Sequence, residues 1–184
     1  MGVKITSLAQ IPSDADIPFY VYLLHSHYPF EADKALDEAF EIIAQQAGER
    51  DFVVIQGLTR EFGGEVMNAY SIDGIPEDEV LPAILISTVN PHRFEEVHSI
   101  DKSGPFRPRE RVVLISLRQQ RSRRDEVFGL LQKVIADIKA GRELRDFEVS
   151  KDKKTKFLDS LILQPNVSGV GIDFKALWSF LTGR

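Results

Sequence analysis

Cysteine is absent from the 184 residues. That excludes disulfides, thiolate zinc sites, iron–sulfur clusters and any thiol nucleophile. Long apolar runs are missing as well. The longest uncharged stretches, such as Ser160 to Ile172, fall short of the roughly 20 residues that a membrane-spanning helix needs. The N-terminus lacks the apolar core of a signal peptide. The expectation is a soluble, intracellular (cytoplasmic) protein with no transmembrane segment. Glycine and proline, at 12 and 9, are too few for a collagen-like or low-complexity chain. A net charge of −5, from 23 bases and 28 acids, favours solubility and names no partner. What is present, 43% apolar and 28% charged residues, is enough to build one domain with its own core.

Four short runs are apolar almost throughout: Phe19 to Leu24, Phe52 to Ile55, Ala83 to Ser87 and Val112 to Ser116. Uninterrupted rather than alternating runs of this length suit strands covered on both faces. Helical periodicity fills the intervals. Glu31 to Ala47 puts Ala32, Ala35, Leu36, Ala39, Phe40, Ile43 and Ala47 on one stripe, with Gly48 as a stop. Arg124 to Ala140 does the same with Val127, Leu130, Leu131, Val134, Ile135 and Ile138, started by Ser122 and Asp125 and ended by Gly141. A weaker helix is expected from about Thr59 to Tyr70, interrupted by Gly63-Gly64. Asn90-Pro91 has the makings of a cap on a short helical turn. Apolar strands alternating with helices predict a layered α/β domain. The expected division is a lead over 1–17, the α/β domain over 18–141, and an extension over 142–184. The extension starts with a charged linker at Lys151 to Lys156. It has strand character at Leu161 to Leu163 and an amphipathic helix bearing Phe174, Leu177, Trp178 and Leu181.

The order of elements from Pro18 to Gly141 resembles the thioredoxin-like fold, and two local details carry the resemblance. An apolar strand ending Val21-Tyr-Leu-Leu24 turns through His25-Ser26-His27-Tyr28-Pro29-Phe30 into a long helix. Thioredoxins place Cys-Gly-Pro-Cys at this corner, so His27 and Phe30 stand at the cysteine positions with Pro29 retained. Leu81-Pro82 precedes the third apolar strand, where the family carries a cis-proline, and X-Pro bonds tolerate that geometry. The resemblance implies a three-layer thioredoxin-like domain with a C-terminal strand/helix extension, whose third apolar strand runs antiparallel to the first. Its thiol–disulfide chemistry is excluded, since a thiolate is required.

Several groups are candidates for function. His25, Ser26, His27 and Tyr28 lie at the C-terminal end of a strand, where open α/β sheets bind ligands. Alternation along an extended chain puts both imidazoles on one side. Two ligands are too few for a metal, and His92 and His98 are expected at the opposite end of the sheet, so neither a metal nor a cofactor is expected. Gly57-Leu-Thr-Arg60-Glu-Phe-Gly63-Gly64 opens a helix and offers Arg60 to an anion, but lacks the lysine of a P-loop. From Lys102 to Arg124 there are eight bases, among them Arg107, Arg109, Arg111, Arg118 and Arg121, against the single acid Glu110. The rest of the chain holds 15 of the 23 bases and 27 of the 28 acids, a balance of −12. Arginine in place of lysine favours bidentate pairing with carboxylate or phosphate. Nucleic acid is not expected as a partner, because no aromatic interleaving or known motif accompanies the bases.

The missing catalytic chemistry and the uneven charge lead to one expectation: a non-redox protein-interaction or regulatory module, bound to a protein partner or to itself. Its surface would use the arginines and the apolar stripe of Phe174, Leu177, Trp178 and Leu181. The alternative is a small-ligand binder or enzyme acting at the His25–Tyr28 corner with Pro29, Arg60 and Pro82.

Overall fold

A computed structural model describes residues 1–28, 30–47, 51–72, 76–94, 112–118 and 124–140, and the backbone of 161–163. Among the described residues six strands form one mixed sheet: β1 (Gly2–Ile5), β2 (Tyr20–Leu24), β3 (Val53–Gly57), β4 (Ala83–Ser87), β5 (Val112–Ser116) and β6 (Leu161–Leu163). Their order across the sheet is β1-β3-β2-β4-β5-β6. β3 is parallel to both β1 and β2, whereas β4 runs antiparallel to β2 and to β5, and β6 antiparallel to β5. The described helices are α1 (Glu31–Gln46), α2 (Phe62–Ala69), the single turn α3 (Glu77–Val80) and α4 (Arg124–Lys139). A short helical turn also occupies 91–94, and Asn90 caps it by accepting the His92 amide at 3.0 Å.

The central strands are apolar throughout because both faces of the sheet are covered. Tyr20, Tyr22 and Leu24 of β2 point to one side, with Ile55, Leu85, Leu114 and the α2 residues Phe62, Val66 and Met67. Val21 and Leu23 point to the other, with Val54, Ile84, Ile86, Val113 and Ile115. There α1 lays down Ala32, Ala35, Leu36, Ala39, Phe40 and Ile43, and α4 lays down Val127, Leu131, Val134, Ile135 and Ile138. The small residues of the α1 stripe let that helix lie close to the strands, while the larger ones fill between them.

The segment 1–17, expected as a lead, holds the edge strand β1 and buries Ile5, Leu8 and Ile11 in the core. Glu65 of α2 ties it down, accepting from the Ser7 hydroxyl at 2.7 Å and the Leu8 amide at 2.9 Å. At Gly57 the packing admits no side chain: a Cβ would run into the ring of Phe62. Gly63 and Gly64 lie in the first turn of α2, which begins at Phe62. Among the described residues no helix is long and apolar enough to cross a membrane. The helix caps expected at Gly48, Ser122 and Gly141 fall outside the described residues.

Candidate functional site

β2 ends at Leu24 and α1 begins at Glu31, and the intervening corner gathers polar side chains from three elements. Asp33, third residue of α1, is buried and accepts four contacts. Ser26 N donates at 2.9 Å, Ser26 Oγ at 2.7 Å and Phe30 N at 2.8 Å, and His25 Nδ1 stands 3.4 Å from Oδ1. The Phe30 contact is half of a capping box, which satisfies an amide that the first helical turn leaves open. Burial alone would push the Asp33 carboxyl up; the hydrogen bonds from His25, Ser26 and Phe30 outweigh it and hold the group below its ordinary range.

One turn later on the same helix face, Asp37 accepts from Gln56 Nε2 at 2.5 Å, and Gln56 Nε2 also lies 2.9 Å from His25 Nε2. Gln56 comes from β3 and is buried at 5% exposure. An amide nitrogen only donates, so His25 Nε2 accepts here and the ring carries its proton on Nδ1, toward Asp33. Both nitrogens of His25 are therefore committed. The amide oxygen of Gln56 is buried and has no hydrogen-bond partner among the described residues.

His27 turns elsewhere. It is half-exposed, with Nε2 3.3 Å from Glu77 Oε2 at the start of α3. The two imidazoles thus engage different elements instead of sharing a side. The reason is that strand geometry ends at Leu24 and the chain bends at His27-Tyr28, so strict alternation does not reach them. Beside them stand the exposed aromatics, Tyr28 at 73% and Phe30 at 40% exposure. The Arg118 guanidinium, just past β5, lies 5.7 Å from the Phe30 ring centroid.

The Leu81–Pro82 peptide bond is cis. Pro82 O accepts the Leu117 amide at 2.8 Å, which brings the loop before β4 alongside the end of β5 and Arg118. Gly63 of α2 comes close enough that a Cβ there would meet Leu81 and approach the His25 carbonyl. Of the residues singled out from the sequence, His25, Ser26, His27, Tyr28, Pro82 and Arg118 are therefore neighbours around one corner. Arg60 is exposed on the turn before α2, and no described contact joins it to them. His92 lies at the far end of the sheet, as antiparallel β4 requires, with Nε2 on the Leu8 carbonyl at 2.9 Å. Pro29, His98, Arg107, Arg109, Arg111, Arg121, Phe174, Leu177, Trp178 and Leu181 lie outside the described residues.

Sequence reasoning passed over Asp33, Asp37, Gln56 and Glu77. A partial signal existed for three of them. Asp33 and Asp37 are spaced i, i+4 on a helix that opens at the corner. Gln56 is a polar residue closing an apolar strand run. Comparison with family models, curated proteins and solved structures finds no match for this chain.

Proposed function

We propose that the chain is a non-redox protein-interaction module on a three-layer thioredoxin-like scaffold, and that it docks its partner at the β2–α1 corner. The scaffold reading is supported by the order β1-β3-β2-β4-β5 with β4 antiparallel to β2, and by helices on both faces. The cis-proline before β4 and the strand-to-helix corner at His27 and Phe30 stand where the resemblance implies them. The interaction reading rests on one observation above all. Tyr28 and Phe30 expose aromatic surface beside Arg118, on a sheet whose other large apolar side chains are mostly buried. Aromatic residues with an adjacent arginine are the side chains that carry binding energy at protein interfaces. The partner segment that fits them bears an apolar side chain for the two rings and a carboxylate for Arg118.

The commitments of His25 weigh against the rival enzyme reading, since a general base needs a nitrogen free to reach the substrate proton. A photoreactive phenylalanine analogue at position 28, introduced in the cells that make the protein, tests the proposal. Cross-links to one discrete protein are expected at position 28, and none at position 42 on the outer face of α1. They should be lost with Phe30→Ser and Arg118→Glu. Equal cross-linking at positions 28 and 42, or none at 28, would overturn it.

A further inference from the structure

We propose that His25 is a proton-operated switch. Neutral, it is bonded to Gln56 of β3; on gaining a second proton it loses that bond and is held by two carboxylates of α1, Asp33 and Asp37. The switch does not depend on a partner docking at the corner.

The imidazole lies where three elements meet. It follows β2, while α1 supplies both charged groups in contact with the ring and β3 supplies a neutral amide. α2 approaches the His25 carbonyl, through Gly63. Asp33 Oδ1 is 3.4 Å from Nδ1, and Asp37 Oδ1 is 3.5 Å from Nε2. Gln56 Nε2 sits 2.9 Å from His25 Nε2 and 2.5 Å from Asp37 Oδ1. In the neutral ring each of these contacts joins a donor to an acceptor. The amide gives one hydrogen to the imidazole and the other to Asp37, and Nδ1–H points to Asp33.

A second proton enters at Nε2, because Nδ1 already carries one. That nitrogen then changes from acceptor to donor. Two donors face each other at 2.9 Å, and the bond between Gln56 and His25 is lost. The new N–H has an acceptor beside it in Asp37 Oδ1, a fraction of an ångström beyond the usual charge-assisted length of about 2.8 Å. The Asp37 side chain is 63% exposed and free to close that gap. Gln56 is buried and keeps its other hydrogen on the same carboxylate. Asp33 is held below the ordinary carboxylate range, so its contact with Nδ1–H becomes an ion pair. The two bonding patterns exclude one another: the buried amide favours the neutral ring, and the two carboxylates favour the charged one.

The change reaches the exposed part of the corner. Asp33 also accepts from Ser26 N, Ser26 Oγ and Phe30 N, and these two residues bracket Tyr28. Drawing Asp33 onto an imidazolium alters the bonds at both ends of that loop. Histidine is the side chain whose charge changes in the physiological range, so the device responds to modest acidification. The other described histidines are wired differently. His27 meets Glu77, and His92 meets the Leu8 carbonyl at the far end of the sheet.

NMR of the nitrogen-15-labelled full chain, at about pH 8 and about pH 5, provides the test. Between the two, the His25 ring should pass from one bound proton to two, and the Gln56 side-chain amide signals should shift in the same step. The backbone amides of Ser26 and Phe30 should shift with them. His27→Gln should leave all these changes in place. Asp37→Asn, at an exposed position, removes a charge that draws the Nε2 proton. At the pH where the wild-type ring is half protonated, the Asp37→Asn ring should therefore carry the second proton in a smaller fraction of molecules. A His25 ring that stays neutral at the lower pH overturns the proposal, as do Gln56 signals that stay fixed while the ring takes up its proton. So does an equal or larger protonated fraction in Asp37→Asn, or a Gln56 shift that is lost in His27→Gln.

Discussion

At the Tyr20 end of β2, Asn90 donates to the Pro12 and Ala15 carbonyls at 2.9 and 3.3 Å and to the Tyr20 hydroxyl at 3.2 Å. At the Leu24 end, Asp33 collects donors from Ser26 and Phe30, and Gln56 spans Asp37 and His25. Both ends use buried polar groups to hold loops onto the sheet. They differ in what lies outside. At the first, Asn90 and Tyr20 are themselves buried and bond to each other and to carbonyls of the N-terminal segment. The second opens onto exposed Tyr28, Phe30 and Arg118, and retains a buried oxygen with no partner among the described residues. A polar cluster closed on itself is a fastening, whereas one that ends at exposed aromatics and an unmet acceptor has capacity to bind.

The largest effect on this contrast is expected from Asn90→Ala. It strips several acceptors at the Tyr20 end and should cost about 3 kcal/mol in urea denaturation. Cross-linking at position 28 should persist in the folded fraction. If that variant instead abolished docking at full stability, the two ends would not be separable. Asp33→Asn at the open end should cost about 1–2 kcal/mol near neutral pH, read from the same denaturation curves. Because the folded protein holds the Asp33 carboxyl below its ordinary range, its contribution is full above about pH 4. It disappears as pH falls through the lower folded value, so the variant should lose less stability than the wild type between neutral pH and strong acid. Parallel curves for the two proteins would remove Asp33 from the account.

A smaller effect lies in the core between the two ends. Tyr22 and Tyr70 share a hydrogen bond of 3.0 Å, and Tyr70 donates to the Val89 carbonyl at 2.8 Å. Burial raises both hydroxyls above the ordinary range, and raises Tyr20 as well. The unfolded chain ionises them first, so their contribution to stability falls as pH rises beyond about 10. Ultraviolet titration should show these three resisting ionisation in the folded protein, and Tyr22→Phe should cost about 1 kcal/mol. Smallest of all, Tyr28→Ser with Phe30→Ser should alter stability by no more than about 0.5 kcal/mol per residue, since both side chains are exposed. A large loss in urea would place those rings in the core and refute their role as a docking surface.

Much of the scaffold was legible in the chain. The stripes of α1 and α4 have enough turns for the 3.6-residue period to emerge, and their apolar positions are buried as expected except Leu130, which is only partly covered. The apolar runs marked β2 to β5 because a strand covered on both faces has no polar side to break the pattern. β1 escaped notice for the opposite reason. Gly2-Val-Lys-Ile is four residues at a sheet edge, with Lys4 exposed toward Glu41, too short and too mixed to show a period. The corner was half legible. His25 through Tyr28 stand out in sequence, but Asp37 and Gln56 are ordinary residues until α1 and β3 bring them to the same histidine.

Composition and periodicity alone determined that the chain has no thiol chemistry, that four strands, β2 to β5, are covered on both faces, and that two long amphipathic helices pack on them. These are local or additive properties, set by which side chains must leave water and at what spacing. Tertiary structure alone decided that β1 joins the sheet beside β3, that the two corner histidines part company, and that one glutamine lies between a carboxylate and an imidazole. Those outcomes depend on contacts between residues far apart in sequence, where no period links them and packing of whole elements sets the distances.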